Sequence, residues 1–345
     1  MSLLYIITDY KGHFGSKWKS KPYRSGYDKE KLKGYFLTHG IEVKFIKPIE
    51  IDYNSKFWTG KNVLLNSSEE PQLFYKQFLE DIAFALNQFG ANLIPSIEHL
   101  QCHENKIKGM VSQSINQHAD IHQLKYILLG NYFEFLEYLE KTNPQYPCIV
   151  KLPNGSKSSG VFLANNESEL KNIVKKVSSN FSIYSYFKEF IRKYKHKGYI
   201  ANSKYPKKLL IQEYVPNLSC DWKLLIYGSS IFILKRSIKK NDFRASGSGH
   251  KYTVGSQSEF PIKYLEALYQ TFINYDTPNL SIDFGFDGEK AYIFETQAIY
   301  FGTSTQFLSK DYYHRKNGNW ELLPNNMDQE EIFTKSIVEY LKRKK

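Results

Sequence analysis

Short apolar runs alternate with amphipathic stretches through the first hundred residues. Leu3-Leu4-Tyr5-Ile6-Ile7, followed by Thr8 and Asp9, reads as a buried strand over residues 3–9. Residues 28–38 (DKEKLKGYFLT) carry a helical pattern that Gly40 stops. Residues 41–47 (IEVKFIK) alternate as a second strand and end at Pro48. Strand, helix and strand in that order predict a parallel sheet with a right-handed crossover. Phe74, Phe78, Ile82, Leu86 and Phe89 recur at helical spacing within 71–89, with Pro71 suited to the first turn and Gly90 closing the helix. Asn92-Leu93-Ile94 begins a short strand before Pro95. The first hundred residues therefore predict a small Rossmann-like α/β domain.

Further along, 112–142 has a helical pattern with a break at Asn131. Tyr146 to Lys151 is a short apolar strand that ends in lysine, and a Gly/Ser-rich loop follows at once. A strand at 161–163 and a helix at 167–177 come next, then a basic, aromatic insertion at 178–208. Residues 209–215 and 222–236 read as strands, the second turning at Gly228-Ser229. Strands at 280–284 and 291–296 are joined by the hairpin signal Asp287-Gly288. A closing helix at 329–341 has Asp328 as N-cap and Glu331 three residues on, with Ile332, Phe333, Ile337 and Leu341 on one face. There is no internal repeat and no low-complexity tract.

Composition narrows the classes. Of 345 residues, 41% are hydrophobic and 24% charged, which supports a sizeable core and excludes a disordered chain. No apolar run approaches the roughly 20 residues of a membrane helix, and no basic region precedes the first run, so neither a membrane partner nor a secretory signal is expected. Cys102, Cys148 and Cys220 are too scattered for a disulfide framework or a zinc site, which predicts buried thiols in a reducing, cytoplasmic compartment. The net charge of +12 favours an anionic partner. Residues 188–208 hold eight Lys/Arg against one acid, interleaved with Tyr and Phe. That stretch reads either as a site for an acidic glycan, a nucleotide-linked sugar or RNA, or as a solvated insertion.

Four constellations could carry chemistry. In the first, Lys151 ends a strand and Gly155, Ser156, Ser158, Ser159 and Gly160 follow. Glycines let backbone N–H groups approach a phosphate, serines add donors, and the lysine adds fixed charge; a plain hairpin with a solvated lysine would look the same. In the second, Asp283 and Glu295 lie in apolar strand patterns across a predicted hairpin, with Gln297 two residues after Glu295 and so on the same strand face. An all-oxygen cluster of this kind suits Mg²⁺, and burying two acids without a cation is costly; the alternative is a pair of edge carboxylates bonded to a nearby Lys or Arg. In the third, Glu213-Tyr214-Val215 ends a strand and Asp221 and Lys223 follow, which could present an adenine edge and reach a ribose or simply end a core strand. The fourth is Arg236 with Arg244 in a Gly/Ser loop, suited to an anionic transition state or to solvent. Gly12-His13-Phe14-Gly15 lacks the third glycine of a dinucleotide fingerprint. His118 and His122 have no third ligand nearby and read as a solvated helix face.

Taken in order, the lysine, Gly/Ser loop, Glu-Tyr-Val hinge, Asp-x-Lys, arginines, and then Asp and Glu-x-Gln on paired strands resemble the ATP-grasp superfamily of carboxylate–amine ligase type. The resemblance runs from about residue 100 to 300. It implies an α/β (α+β) chain: a Rossmann-like pre-ATP-grasp domain at 1–100, a central and lid region at 101–215 carrying the 178–208 insertion, and a C-terminal subdomain with the metal site at 216–345. It implies ATP and Mg²⁺ as cofactors. Lys106 and Lys151 would contact phosphates, and the 155–160 loop would close over them. Glu213, Tyr214 and Val215 would hold adenine, Asp221 would take the ribose side, and Lys223 would belong to the nucleotide-binding set. Asp283, Glu295 and Gln297 would bind the metal, and Arg244 and Arg236 would stabilise the reacting phosphate. The implied reaction converts a carboxylate to an acyl phosphate that an amine attacks. The segment from Asp242 to Gly249 also resembles a branch associated with bacterial surface-polysaccharide loci, and the family implies a homodimer. Two departures stand out: Gln297 where the family commonly has Asn, and Lys223 where many relatives place Arg. Phosphoryl transfer to an alcohol, and a non-catalytic polyanion- or nucleic-acid-binding protein on the same scaffold, are the competing readings.

Overall fold

The computed structural model describes residues 2–53, 55–155, 160–180, 182–238 and 251–344. The chain divides into two compact units. One comprises residues 1–103, 108–123 and 218–345, and the other 104–107 and 124–217.

The larger unit begins with a parallel sheet of β1 (Ser2–Ile7), β2 (Ile41–Ile46), β3 (Asn62–Leu64) and β4 (Asn92–Ile94), in the order β2-β1-β3-β4. β1 and β2 pair along their whole length, from Ser2 opposite Ile41 to Ile7 opposite Ile46. Between them α1 (Lys29–Thr38) starts where the Asp28 carboxylate accepts the N–H groups of Glu30 and Lys31, satisfying two of the first turn's orphan donors. α2 (Phe74–Gln88) follows a tight turn over Pro71–Leu73 in which Gln72 and Leu73 have φ of 64° and 61°. That break rotates the expected apolar stripe. Ile82 and Leu86 are buried, but Leu79 and Ala83 join them while Phe74 is 66% exposed. Two helices complete this stretch, α3 (Ile97–Cys102) and α4 (Lys106–Asn116).

The smaller unit is built on an antiparallel sheet, β5 (Tyr126–Leu129), β6 (Cys148–Lys151), β7 (Val161–Ala164) and β8 (Leu209–Glu213), ordered β5-β8-β6-β7. Its helices are α5 (Tyr132–Lys141), α6 (Glu167–Ser178) and α7 (Ile183–Lys195). Leu129, Val150, Leu209 and Ile211 pack with Phe135, Leu170 and Val174 to form its core. The helix expected over 112–142 is not continuous. Tyr126-Ile127-Leu128-Leu129 pairs with β8, because a four-residue apolar run has no periodicity of its own and tertiary pairing decides it. Asn131, expected as a break, caps α5 by accepting from Phe133 and Glu134.

The larger unit resumes with a second sheet. It contains β9 (Cys220–Tyr227), β10 (Ser230–Ser237), β11 (Tyr252–Val254), β12 (Asn279–Phe286), β13 (Ala291–Gln297), β14 (Asp311–Lys316) and β15 (Asn319–Pro324). The order is β13-β12-β9-β10-β14-β15, with β11 also on β10. α8 (Leu265–Asn274) covers one face, burying Leu268 and Phe272 against Leu224, Ile282 and Ile293. α9 (Ser304–Leu308) and α10 (Gln329–Arg343) complete the unit. α10 brings Ile332, Ile337 and Val338 into a core with Leu4, Ile6, Leu32, Phe36, Leu225 and Phe232. Asp328 caps α10 as expected. Next to it Glu330, fully buried, accepts from Lys17 Nζ at 2.6 Å and from the Asp28 N–H at 2.8 Å. All three thiols are free, Cys148 and Cys220 buried and Cys102 partly so. His118 and His122 lie beyond the end of α4, not on a helix face, and their N–H groups donate to Thr271 Oγ1 and to the Ala291 carbonyl.

Candidate functional site

The larger unit concentrates charge on one face of its second sheet. Strand alternation decides which residues go there. On β9, Trp222 and Leu224 turn into the core with α8, leaving Asp221 and Lys223 on the other face. Arg236 on β10 stands opposite Asp221, and Asp283 on β12 stands opposite Lys223. Glu295 on β13 stands opposite Asp283.

β13 reaches that register through a bulge. Asp283 pairs with Glu295 but Phe284 pairs with Ile293, so Phe294 is the extra residue. In a regular strand Ile293 and Glu295 would share a face. The bulge lets Ile293 enter the core while Glu295 joins Asp283. Gly285 makes room for the Phe294 ring, since a Cβ there would lie 2.4 Å from it.

Arg236 is the hub of this face. Its Nε and Nη2 donate to the two oxygens of Asp221 at 2.6 and 2.7 Å, and Nη2 lies 3.0 Å from Asp283 Oδ2. Lys223 Nζ is 4.0 Å from the other Asp283 oxygen. Arg236 and Asp221 are 8% and 6% exposed. Burial opposes the charge on Arg236, but Asp283 and Asp221 outweigh it and raise the guanidinium's pKa above the usual arginine value. Burial lifts the Asp221 carboxyl above the usual aspartate value, against the pull of Arg236. Asp221, expected beside a ribose, therefore has both oxygens engaged by Arg236 and acts by holding that side chain in place.

Asp283 and Glu295 are half-buried like charges directly opposite one another, an arrangement that is destabilising unless a cation relieves it. The Gln297 amide nitrogen donates to Glu295 Oε1 at 3.1 Å, which leaves the amide oxygen as an acceptor. The donor set is all oxygen. It fits a hard divalent cation, with Asp283, Glu295 and Gln297 as the residues that could hold one.

The smaller unit organises the Gly/Ser loop. β6 and β7 form a hairpin in which Lys151 is opposite Val161, and the Leu152 N–H donates to the Gly160 carbonyl at 2.8 Å. Lys106 is drawn to this loop from outside the hairpin. Its N–H donates to the Pro153 carbonyl at 2.8 Å, and its Nζ donates to the Gly155 carbonyl at 2.5 Å. The Gly155 N–H in turn donates to the Glu104 carboxylate at 3.1 Å. Glu104 was not singled out by the sequence, and its only signal was adjacency to Lys106. Gly155 has φ of 124°, a conformation that only glycine adopts readily. At Gly160 a Cβ would press within 3.1 Å of Leu152 Cβ and 3.2 Å of the Asn154 carbonyl. Glu213 ends β8 opposite Cys148, so it sits at the far end of β6 from Lys151. Its N–H donates to the Lys125 carbonyl at 3.0 Å. Tyr214 is half-buried and Val215 buried beyond it. Ser156, Ser158, Ser159 and Arg244 lie outside the described residues.

Comparisons with known proteins agree with this architecture. Residues 104–260 match the family model of the RimK-like ATP-grasp domain. A search of curated proteins finds no match. Among solved structures, a RiPP-associated ATP-grasp ligase from Chryseobacterium gregarium, in complex with ADP and a leader and core peptide, is similar at a TM-score of 0.54 and 12% identity, covering 100% of this chain and 98% of that one. A RimK domain ATP-grasp protein from Sphaerobacter thermophilus is similar at 0.50 and 11%, covering 98% of this chain and 100% of its own. An L-amino acid ligase from Bacillus licheniformis is similar at 0.50 and 15%, covering 90% of this chain and 71% of its own. The chain has the ATP-grasp fold.

Proposed function

From a chain that carries the ATP-grasp fold, with residues 104–260 matching its RimK-like domain, we propose an ATP-dependent ligase that activates a substrate carboxylate as an acyl phosphate and joins it to an amine. The observation that carries this reading is the charged face of the second sheet, where two cations, Arg236 and Lys223, on adjacent strands adjoin two carboxylates, Asp283 and Glu295, on the next two. Such a face can hold a polyphosphate with its cation and offset charge that shifts between them.

Each residue has a task in this reading. Asp283, Glu295 and Gln297 hold Mg²⁺, which when bound neutralises charge on the transferring phosphoryl group. Arg236, locked by Asp221, keeps a permanent positive charge beside Asp283. Lys151 and Lys106 contact phosphates at the Gly/Ser loop, and Glu213 to Val215 present the adenine edge. Arg244 acts on the reacting phosphate. The carboxylate's oxygen attacks the terminal phosphorus, ADP leaves, and the amine then attacks the acyl carbon and expels phosphate. No side-chain nucleophile is needed. One of the similar solved structures is in complex with a leader and core peptide, and another is described as an L-amino acid ligase, which supports an amino-acid or peptide-type carboxylate.

The test is calorimetric titration of Mg²⁺·ATP into the wild type and into Asp283→Ala/Glu295→Ala. Binding to the wild type that is lost in the double variant supports the reading, and a wild type that binds no nucleotide sinks it. Hydroxylamine then separates the chemistries. An acyl phosphate yields a hydroxamate and ADP in the presence of the correct carboxylate, whereas phosphoryl transfer to an alcohol yields none.

A further inference from the structure

α7 carries an apolar face that is largely exposed. At 3.6 residues per turn, Ile183, Tyr186, Phe187, Phe190, Ile191 and Tyr194 fall within an arc of about 140°. Their exposures run from 44% for Tyr186 to 91% for Tyr194, and no residue of the helix is buried. A 13-residue helix is marginal in water by itself and normally depends on packing its apolar face. Among the described residues the apolar face of this one stays largely open to solvent.

The segment is nevertheless tied down. At its base the Asn180 N–H donates to the Lys204 carbonyl and the Lys207 N–H to the Ser178 carbonyl, both at 3.2 Å. Glu189 holds the returning chain, accepting from Tyr199 Oη at 2.7 Å and the Asn202 N–H at 3.0 Å, and it also pairs with Arg192 at 2.8 Å. That leaves the one acid of 182–208 engaged internally, against eight Lys/Arg. By the same angular spacing Lys188 and Lys195 border one edge of the apolar arc and Lys193 the other, all exposed. Lys204 adds a cation over the Tyr186 ring at 4.3 Å.

We propose that α7 lies in the surface of an anionic lipid bilayer, with its aromatic face in the headgroup region and its bordering lysines at the phosphates. A large amphipathic moment, aromatics on one side and lysines at both margins are what an interfacial helix requires. A second copy is disfavoured because this face carries the same positive charge on both copies. No helix of the described residues is long and apolar enough to cross a membrane, and surface binding needs none. The absence of such a helix is what led the sequence away from a membrane partner.

The experiment is flotation of the full chain with vesicles of phosphatidylcholine alone and of phosphatidylcholine mixed with phosphatidylglycerol. We expect binding only to the anionic vesicles, weakening as salt rises. Lys188→Gln/Lys193→Gln/Lys195→Gln weakens it by roughly fivefold per lysine. Phe187→Ser/Phe190→Ser abolishes it. Both variants melt at the wild-type temperature, because the altered side chains are exposed. Equal binding to both vesicle types, no binding, or binding unchanged in both variants overturns the proposal. So does displacement of the protein from vesicles by stoichiometric polyglutamate or RNA, which assigns the face to an acidic polypeptide or a nucleic acid. Gel filtration showing α7-dependent self-association without flotation assigns it to a second copy.

Discussion

Replacing Arg236 by Met should cost the larger unit about 3–5 kcal/mol of stability near neutral pH, the range for removing one partner of a buried ion pair. The magnitude follows from what is left behind. Asp221 is 6% exposed and loses both of its hydrogen bonds, and Asp283 loses the guanidinium 3.0 Å away while Lys223 stays at 4.0 Å. Without its cation, burial and the charge of Asp283 act on Asp221 against Lys223, and its folded pKa rises further above the unfolded value. Between those two values the folded state binds more protons, so the variant loses stability as pH rises through that window and regains it below the unfolded pKa near 4. Arg236→Met/Asp221→Leu removes the orphaned charge and should recover more than half of the loss. All four tryptophans (Trp18, Trp58, Trp222 and Trp320) belong to the larger unit, so urea unfolding followed by tryptophan fluorescence reports on that unit alone. A single-variant cost below about 1 kcal/mol, the level of an exposed pair, or a double variant no more stable than the single, would refute the reasoning.

Three further outcomes are expected. Gly285→Ala places a Cβ 2.4 Å from the Phe294 ring, so it should disturb the bulge that aims Glu295, and Mg²⁺ dependence should shift to higher metal concentration while ADP binding measured without metal stays near wild type. Desolvation, aided by the charge of Lys76, pushes the buried His103 down to about 3, so the unfolded state binds the extra proton between about pH 6.5 and 3. Stability should therefore fall as pH drops through that window, and His103→Gln should flatten the profile measured by tryptophan fluorescence. Glu330→Gln weakens the bond to Lys17 and removes a buried charge that the Asp28 N–H also serves. It should lower the larger unit's stability by about 2–3 kcal/mol in urea unfolding, with no change in the circular dichroism of α7.

Asp283 and Glu295 were legible because both lie in apolar strand patterns joined by the hairpin signal Asp287-Gly288. Asp221, Lys223 and Arg236 stood out by residue type and order alone, with Asp221 just outside the strand expected over 222–236. What pairs with what was not readable. The sequence cannot show that Asp221 spends both oxygens on Arg236, since that depends on the register of β9 against β10. The bulge at Phe294 was equally hidden, because one inserted residue reverses the parity on which the reading of β13 depends. Elsewhere the misses have local causes. Phe74 and Phe78 match the helical period, yet the left-handed Gln72 and Leu73 turn α2 so that Leu79 faces the core. β5 is too short to have a period. The β14–β15 hairpin turns at Asn317-Gly318, with φ of 51° and 84°, a local turn signal of the same kind as Asp287-Gly288. Lys106 reaches the Gly/Ser loop over 49 residues of sequence, a contact that no local pattern encodes.

The place of α10 sets an order on synthesis. Leu4, Ile6, Leu32 and Phe36 share a core with Ile332, Ile337 and Val338, which are made much later. Lys17 and Asp28 likewise wait for Glu330. On the ribosome the β1–β4 sheet therefore stays open along one apolar side until α10 has been made, whereas the core from Leu129 to Ile211 can close as soon as its own segment has emerged. A nascent chain stalled before α10 should offer that side to chaperones while its middle is already resistant to protease.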